Sequence, residues 1–197
     1  MAGFVVIEGI DGCGKSTVAR LVARRIGKRA VLTREPTNSK IGRAVHRGDK
    51  ANISPFTDAL LFMADRSQHT LEISRLIRKG KLVVSDRYYH STVAYQAANL
   101  RDAFPGDAFR WLLDSNLRFS LHPDLTVLLT LPPELALKRV AKRGKYSRFE
   151  KLEFLTRVHR NYLRLAKQDK SIVKVDATQD LESVVGQVLE LILKRKI

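Results

Sequence analysis

Gly3-Phe4-Val5-Val6-Ile7-Glu8-Gly9-Ile10-Asp11-Gly12-Cys13-Gly14-Lys15-Ser16 decides the architecture of this chain. The stretch opens as an apolar, β-branched run, which reads as a buried strand. Three glycines then fall close together, and from Lys15 to Ile26 the apolar residues return at helical spacing. Beyond it, Ala30 to Thr33 is a second β-branched strand. From Pro55 to Lys79 the apolar residues Leu60, Leu61, Ala64, Leu71, Ile73, Leu76 and Ile77 follow a period near 3.6, predicting a long helix that Gly80 ends. Further strands are predicted over Lys81 to Ser85, Leu125 to Thr130 and Ser171 to Asp176. A helix starts at Pro132-Pro133-Glu134, since proline suits a first turn, and Leu181 to Lys194 reads as a last amphipathic helix. Strands that alternate with helices predict one α/β domain over residues 1–197, a three-layer fold whose five-stranded parallel sheet is flanked by helices.

Composition limits what such a domain can be. With 44% apolar and 28% charged residues in 197, the chain falls in the globular range, not the disordered or fibrous one. A lone cysteine, Cys13, excludes a disulfide framework and any cysteine-built metal cluster. The longest mostly apolar stretch, Leu125 to Leu137, is broken by Thr126, Thr130, Pro132, Pro133 and Glu134 and is too short for a bilayer. No basic segment followed by an apolar core opens the sequence, so the expected location is the cytoplasm, away from membranes. The formal net charge is +16, and nine of those charges fall between Lys138 and Lys170, where twelve basic side chains face three acids. Such an excess suits an anionic partner, either nucleic acid or a phosphorylated small molecule, or simply a solvated helical surface. Charge alone does not choose among them.

The glycines do choose. Gly9 to Ser16 fits G-x4-G-K-[ST], the P-loop pattern, in which a curled backbone points N–H groups at phosphate oxygens and the next helix presents its positive end. Lys15 reaches the β- and γ-phosphates in such a cradle, and the Ser16 hydroxyl is a ligand for Mg²⁺. A chance match in a chain of this length is on the order of one in a hundred, and the strand before and helix after make it rarer. Val83-Val84-Ser85-Asp86 ends a strand on a carboxylate, which suits Asp86 to hold Mg²⁺ through water; capping the following helix is the structural alternative. A guanine-reading N-K-x-D segment is absent, which removes the GTPase switches.

Around the cradle, in order, come Glu8-Gly9-Ile10-Asp11, Thr33-Arg34-Glu35-Pro36, Phe62-Met63-Ala64-Asp65-Arg66, Asp86-Arg87-Tyr88 running into Ala94-Tyr95-Gln96, and the basic Arg139 to Arg148. Together these resemble the thymidylate kinase family, over about Phe4 to Leu181. The resemblance implies transfer of the γ-phosphoryl group of ATP to dTMP with Mg²⁺, for dTTP synthesis. It implies an ATP site at Gly9, Ile10, Asp11, Gly12, Cys13, Gly14, Lys15, Ser16, Thr17 and Arg139, the last lying over the adenine. It implies a dTMP site in which Phe62 stacks on thymine, Arg66 donates to a thymine carbonyl, and Arg34 and Arg87 grip the 5′-phosphate. In the same site Asp11 contacts the sugar and bridges to Arg87, Tyr95 disfavours ribonucleotides, and Gln96 helps read the base. Family members that carry an arginine inside the cradle do so where Gly12 stands here. The charge that stabilises transfer is therefore expected from a small lid at about 139–150, with Arg143 foremost and Arg148 second, alongside Lys15, Asp11 and Arg87. Ser147 departs from the lid pattern, in which an aspartate often precedes the arginine. A homodimer through a helical face is the implied assembly, with ATP and dTMP as partners and no nucleic acid.

Two other readings share the cradle. Another P-loop kinase could act on a different pyrimidine nucleotide or a nucleoside. A basic, ATP-dependent nucleic-acid-binding protein could use the charged stretch to track a phosphate backbone. The five histidines, His46, His69, His90, His122 and His159, show no ligand spacing and are given no chemistry.

Overall fold

All six residues of strand β1 (Gly3–Glu8) are buried in the computed structural model, which describes residues 2–48, 53–141 and 152–197. β1 is the middle strand of a five-stranded sheet of order β2-β3-β1-β4-β5, and every pairing is parallel. Its partners are β2 (Ala30–Arg34), β3 (Leu82–Asp86), β4 (Leu125–Thr130) and β5 (Ile172–Asp176). A parallel strand covered on both faces needs apolar side chains on both, which explains the unbroken Phe4-Val5-Val6-Ile7 run. The strand register brings Ile7 and Arg34 each opposite Asp86, so β1, β2 and β3 end level with one another. Ligands of open α/β sheets bind beyond this carboxyl edge.

Two groups of helices flank the sheet. α1 (Lys15–Ile26) packs with α8 (Leu181–Lys194). α4 (Tyr89–Asn99) packs with α3 (Pro55–Arg78), α5 (Ala108–Leu117) and α7 (Leu152–Gln168), while α2 (Lys40–Gly48) lies on α3 and α6 (Pro133–Ala141) on α7. Ser54 starts α3 by accepting a hydrogen bond from Phe56 N at 3.2 Å, with Pro55 in the first turn. α2, α4, α5 and α7 add to the helices predicted from the sequence. α4 escapes a periodicity reading for a physical reason: ten of its residues are buried, so it has no polar stripe.

Glu8 ties these parts together at the carboxyl edge. It has no exposure and accepts hydrogen bonds from Tyr88 N (2.7 Å), Ser91 N (3.2 Å), Ser91 Oγ (2.7 Å) and the Tyr162 hydroxyl of α7 (2.8 Å). Burial pushes the Glu8 pKa up, and these donors pull against it. Between Asp86 and Tyr88, Arg87 is held in the left-handed region at φ 76°, a conformation that costs about 1–3 kcal/mol in a non-glycine residue. The turn is over-determined: Arg87 N donates to Ile7 O (3.1 Å), Ser85 Oγ to Arg87 O (2.7 Å), and the next N–H goes to Glu8.

His90, at the start of α4, stacks on Tyr89 with ring centroids 3.9 Å apart, and neither ring nitrogen has a hydrogen-bond partner among the described residues. Burial pushes its pKa down to about 3, with the nearby Asp169 pulling the other way. The folded value lies below the ordinary 6.5, so the unfolded chain takes the proton first. Stability is therefore lost as pH falls below 6.5, at up to about 1.4 kcal/mol per pH unit from this group. His90→Phe is expected to flatten the dependence of the unfolding midpoint on pH between 6.5 and 4.5, measured by urea titration. Parallel curves for the two proteins would contradict this.

Candidate active site

The turn after β1 is shaped by two close approaches. Gly9 has φ 142°, and a Cβ there would lie 2.5 Å from Leu129 O of β4. Gly12 has φ 89°, and its Cβ would lie 2.4 Å from Ala136 O of α6. No side chain fits at position 12 without moving α6, which gives the physical reason that this cradle carries no arginine there. Ile10 and Cys13 are buried beneath the turn, and the first bonds of α1 run from Thr17 and Val18 N to Gly14 O, both 3.0 Å. The N–H groups of Lys15 and Ser16 precede those bonds, in the first turn where a helix presents unpaired donors. Lys15 is 5% exposed and folds across the turn, donating to Ile10 O at 2.9 Å and to Asp11 Oδ1 at 3.4 Å.

Asp11 Oδ1 also accepts from Arg87 Nη2, so one carboxylate oxygen joins the cradle lysine to the arginine after β3. Burial alone would raise the Asp11 pKa. The Arg87 and Lys15 charges outweigh it and hold the carboxyl well below the usual carboxylate range. Asp11 N donates to the Tyr95 hydroxyl at 2.9 Å, and the Arg87 guanidinium lies over the Tyr95 ring, 5.2 Å from its centroid. Arg87 Nη1 donates to Ser91 Oγ at 3.1 Å.

From Asp11, Arg87 and Tyr95 a cleft of about 330 Å³ extends to Phe62, Arg66 and Gln96, with Arg34 on its wall. Phe62 and Arg66, four residues apart on α3, face it together. Arg66 is 1% exposed and lies against the Tyr88 ring. Its Nη1 donates to Asn116 Oδ1 (2.7 Å), and its Nη2 donates to Thr92 Oγ1 (2.9 Å) and to Glu35. A guanidinium has five N–H donors, so two remain, one of them on Nε, which is buried with no hydrogen-bond partner among the described residues. Gln96 is similarly half-engaged: Nε2 donates to Asp58 Oδ2 and Oε1 accepts from Asn99 Nδ2, each at 3.3 Å. One amide hydrogen and one oxygen lone pair are left over.

A second cavity, of about 570 Å³, lies on the other side of Arg34 and includes Ser16, Arg20 and Asp86. Asp86 is buried, and its Oδ1 has no hydrogen-bond partner among the described residues. It does not cap α4, whose N-cap is Tyr88. A buried, unpartnered carboxylate oxygen in one cavity with an exposed serine hydroxyl is a donor set that fits Mg²⁺, a hard cation that takes oxygen ligands. Arg139, on α6, donates through Nη1 to Ala177 O at 3.2 Å, next to the Asp176–Gln179 turn. Arg143, Arg148 and Ser147 lie outside the described residues.

The cleft thus gathers Asp11, Arg34, Phe62, Arg66, Arg87, Tyr95 and Gln96, all singled out from the sequence. It also contains residues that sequence reasoning passed over: Glu35, Thr92 and His46 line it, with His69 and Asn116 behind Glu35 and Arg66. Glu35 stands within the quoted Thr33–Pro36 segment, and Thr92 lies one helical turn before Gln96. Those positions were the available signals.

Comparison with known proteins places the chain among named relatives. A family profile described as thymidylate kinase matches residues 7–188. The chain belongs to the thymidylate kinase family. A relative from Thermococcus onnurineus, named "Probable thymidylate kinase", is 39% identical over 204 residues, covering 96% of each chain. One of the same name from Archaeoglobus fulgidus is 39% identical over 192 residues, covering 95% of this chain and 93% of its own. Among solved structures, a thymidylate kinase from Candida albicans superposes with a TM-score of 0.84 at 26% identity, covering 99% of this chain and 92% of its own. The family match takes in every residue gathered in the cleft.

Position 12 offers a test of the cradle. Gly12→Ala forces a left-handed alanine against the α6 backbone, and is expected to lower the unfolding free energy by about 2 kcal/mol or more. Urea denaturation measures it; an unchanged midpoint would show that α6 yields freely.

Proposed function

We propose that the chain transfers the γ-phosphoryl group of ATP to dTMP, giving ADP and dTDP for dTTP synthesis, through the residues gathered around Asp11. The observation that carries this reading is that Asp11 belongs both to the phosphate cradle and to the cleft containing Phe62 and Arg66, so donor and acceptor sites share a wall. Lys15, now on Ile10 O, exchanges that carbonyl for the β- and γ-phosphates. Arg87 and Arg34 grip the acceptor phosphate, where a planar guanidinium fork matches phosphate oxygens better than an ammonium does. Phe62 stacks on the pyrimidine, an interaction worth about 1–3 kcal/mol per base. The free Nη1 hydrogen of Arg66 suits a thymine carbonyl. The free donor and acceptor on Gln96 complement the imide edge, and the Tyr95 ring limits space at the 2′ position.

Little covalent chemistry falls to the protein. The acceptor phosphate is already a nucleophile near neutral pH, so the site must align two anions in line, offset their repulsion and exclude water. Ser16 and Asp86 would hold Mg²⁺, which when bound neutralises charge on the β- and γ-oxygens. Residues 139–150 serve as the lid, with Arg143 and Arg148 adding positive charge over the transferring group and Arg139 over the adenine. Two exposed leucines, Leu60 (55%) and Leu71 (52%), with Ala64 between them on α3, supply an apolar face for a homodimer. No helix among the described residues is long and apolar enough to cross a membrane, and we assign the reaction to the cytoplasm, where ATP is at hand.

A coupled assay of ADP release across dTMP, dUMP, dCMP, dGMP and thymidine tests the reading. The expected order is dTMP first and dUMP slower, with the others near background. Thymidine fails because it offers Arg34 and Arg87 no phosphate. ADP release that ignores dTMP, or that peaks with thymidine, would overturn the proposal.

A further inference from the structure

Arg66 is bonded to Glu35, and Glu35 is bonded in turn to a histidine that does not line the cleft. Glu35 is 3% exposed; one oxygen takes Arg66 Nη2, and the other lies 2.9 Å from His69 Nδ1. A carboxylate only accepts, so the hydrogen is on Nδ1. At the far side of the ring, Nε2 lies 2.7 Å from the Thr33 hydroxyl, which can donate or accept as the ring requires. His69 is 2% exposed and comes three residues after Arg66, on the same face of α3. A carboxyl group turns easily about its last torsion. With both oxygens claimed from different directions it cannot turn to grip Arg66 with both and pull Nη1 away from Asn116.

We propose that His69 is a positioning residue for base recognition: the relay Thr33–His69–Glu35 fixes the plane of the Arg66 guanidinium so that its free Nη1 hydrogen meets the pyrimidine. This rests on the reading of Arg66 as the residue that donates to the thymine carbonyl. The relay also begins on β2, next to Arg34, so the strand that carries a phosphate ligand sets the base ligand as well. A pyrimidine with an amino group in place of that carbonyl offers the fixed donor no acceptor, which makes the positioning a matter of selectivity as well as affinity.

The test compares His69→Leu, His69→Gln, Thr33→Val and Arg66→Leu in steady-state kinetics with dTMP, dCMP and ATP. Loss of one charge-assisted hydrogen bond corresponds to about tenfold or more. His69→Leu is expected to raise KM for dTMP by about that factor, with KM for ATP within twofold, and to narrow the preference for dTMP over dCMP. Glutamine can donate to Glu35 and accept from Thr33, so His69→Gln should recover most of the loss. Should His69→Leu fail to fold, Thr33→Val gives the same test through the other end of the relay, with a smaller shift in the same direction. Wild-type dTMP kinetics in His69→Leu or Thr33→Val, alongside a large loss in Arg66→Leu, would overturn the proposal and leave the base-reading role of Arg66 standing. Unchanged dTMP kinetics in Arg66→Leu would overturn both. A loss in His69→Leu that affects ATP and dTMP equally, without rescue by glutamine, would mark His69 as packing only and also overturn the proposal.

Discussion

One carboxylate held between two cations organises this molecule. Lys15 approaches Asp11 from the cradle and Arg87 approaches it from the turn after β3. A kinase that joins two polyanions must concentrate positive charge in a small volume before either has bound, and like charges resist this. At an effective dielectric near 20, two unit charges about 4 Å apart interact by about 4 kcal/mol, enough to spoil a site if uncompensated. Asp11 supplies the compensation, and it remains ionised because the same cations depress its pKa. The arrangement also fixes distance: the lysine of the cradle and the arginine after β3 meet on one oxygen atom.

The fold delivers these groups from the carboxyl edge of a parallel sheet, where three strands end level. Glu8 then sets the geometry of the chain on either side of Arg87. By taking Tyr88 N, Ser91 N and the Tyr162 hydroxyl, it holds the start of α4 and the body of α7 against the cradle, and it stabilises the strained backbone at Arg87. A left-handed arginine is unfavourable in isolation. Here it aims a side chain at Asp11 that an extended residue at the same place would direct elsewhere.

The parts legible in the sequence were those whose meaning is local. Three glycines before Lys15-Ser16 have one physical reading, and each β-branched run became a strand within a residue or so of its predicted bounds. Arg34, Phe62, Arg66, Arg87, Tyr95 and Gln96 were legible through family resemblance alone, and the cleft brings them together. The remainder depends on contacts that no local pattern carries. Arg66 finds Glu35 31 residues away, Thr92 26 residues away and Asn116 50 residues away, while His69 finds Thr33 across 36. The absence of a cradle arginine was visible in the sequence, but its cause, the Ala136 carbonyl on α6, was not.

The most direct measurement is a double-mutant cycle between Asp11→Asn and Arg87→Gln on kcat/KM for dTMP. If the two residues act as one charge-balanced unit, each single change should cost nearly as much as both together, a coupling of about 1.5 kcal/mol or more. Losses that simply add, within about 0.5 kcal/mol, would contradict the account.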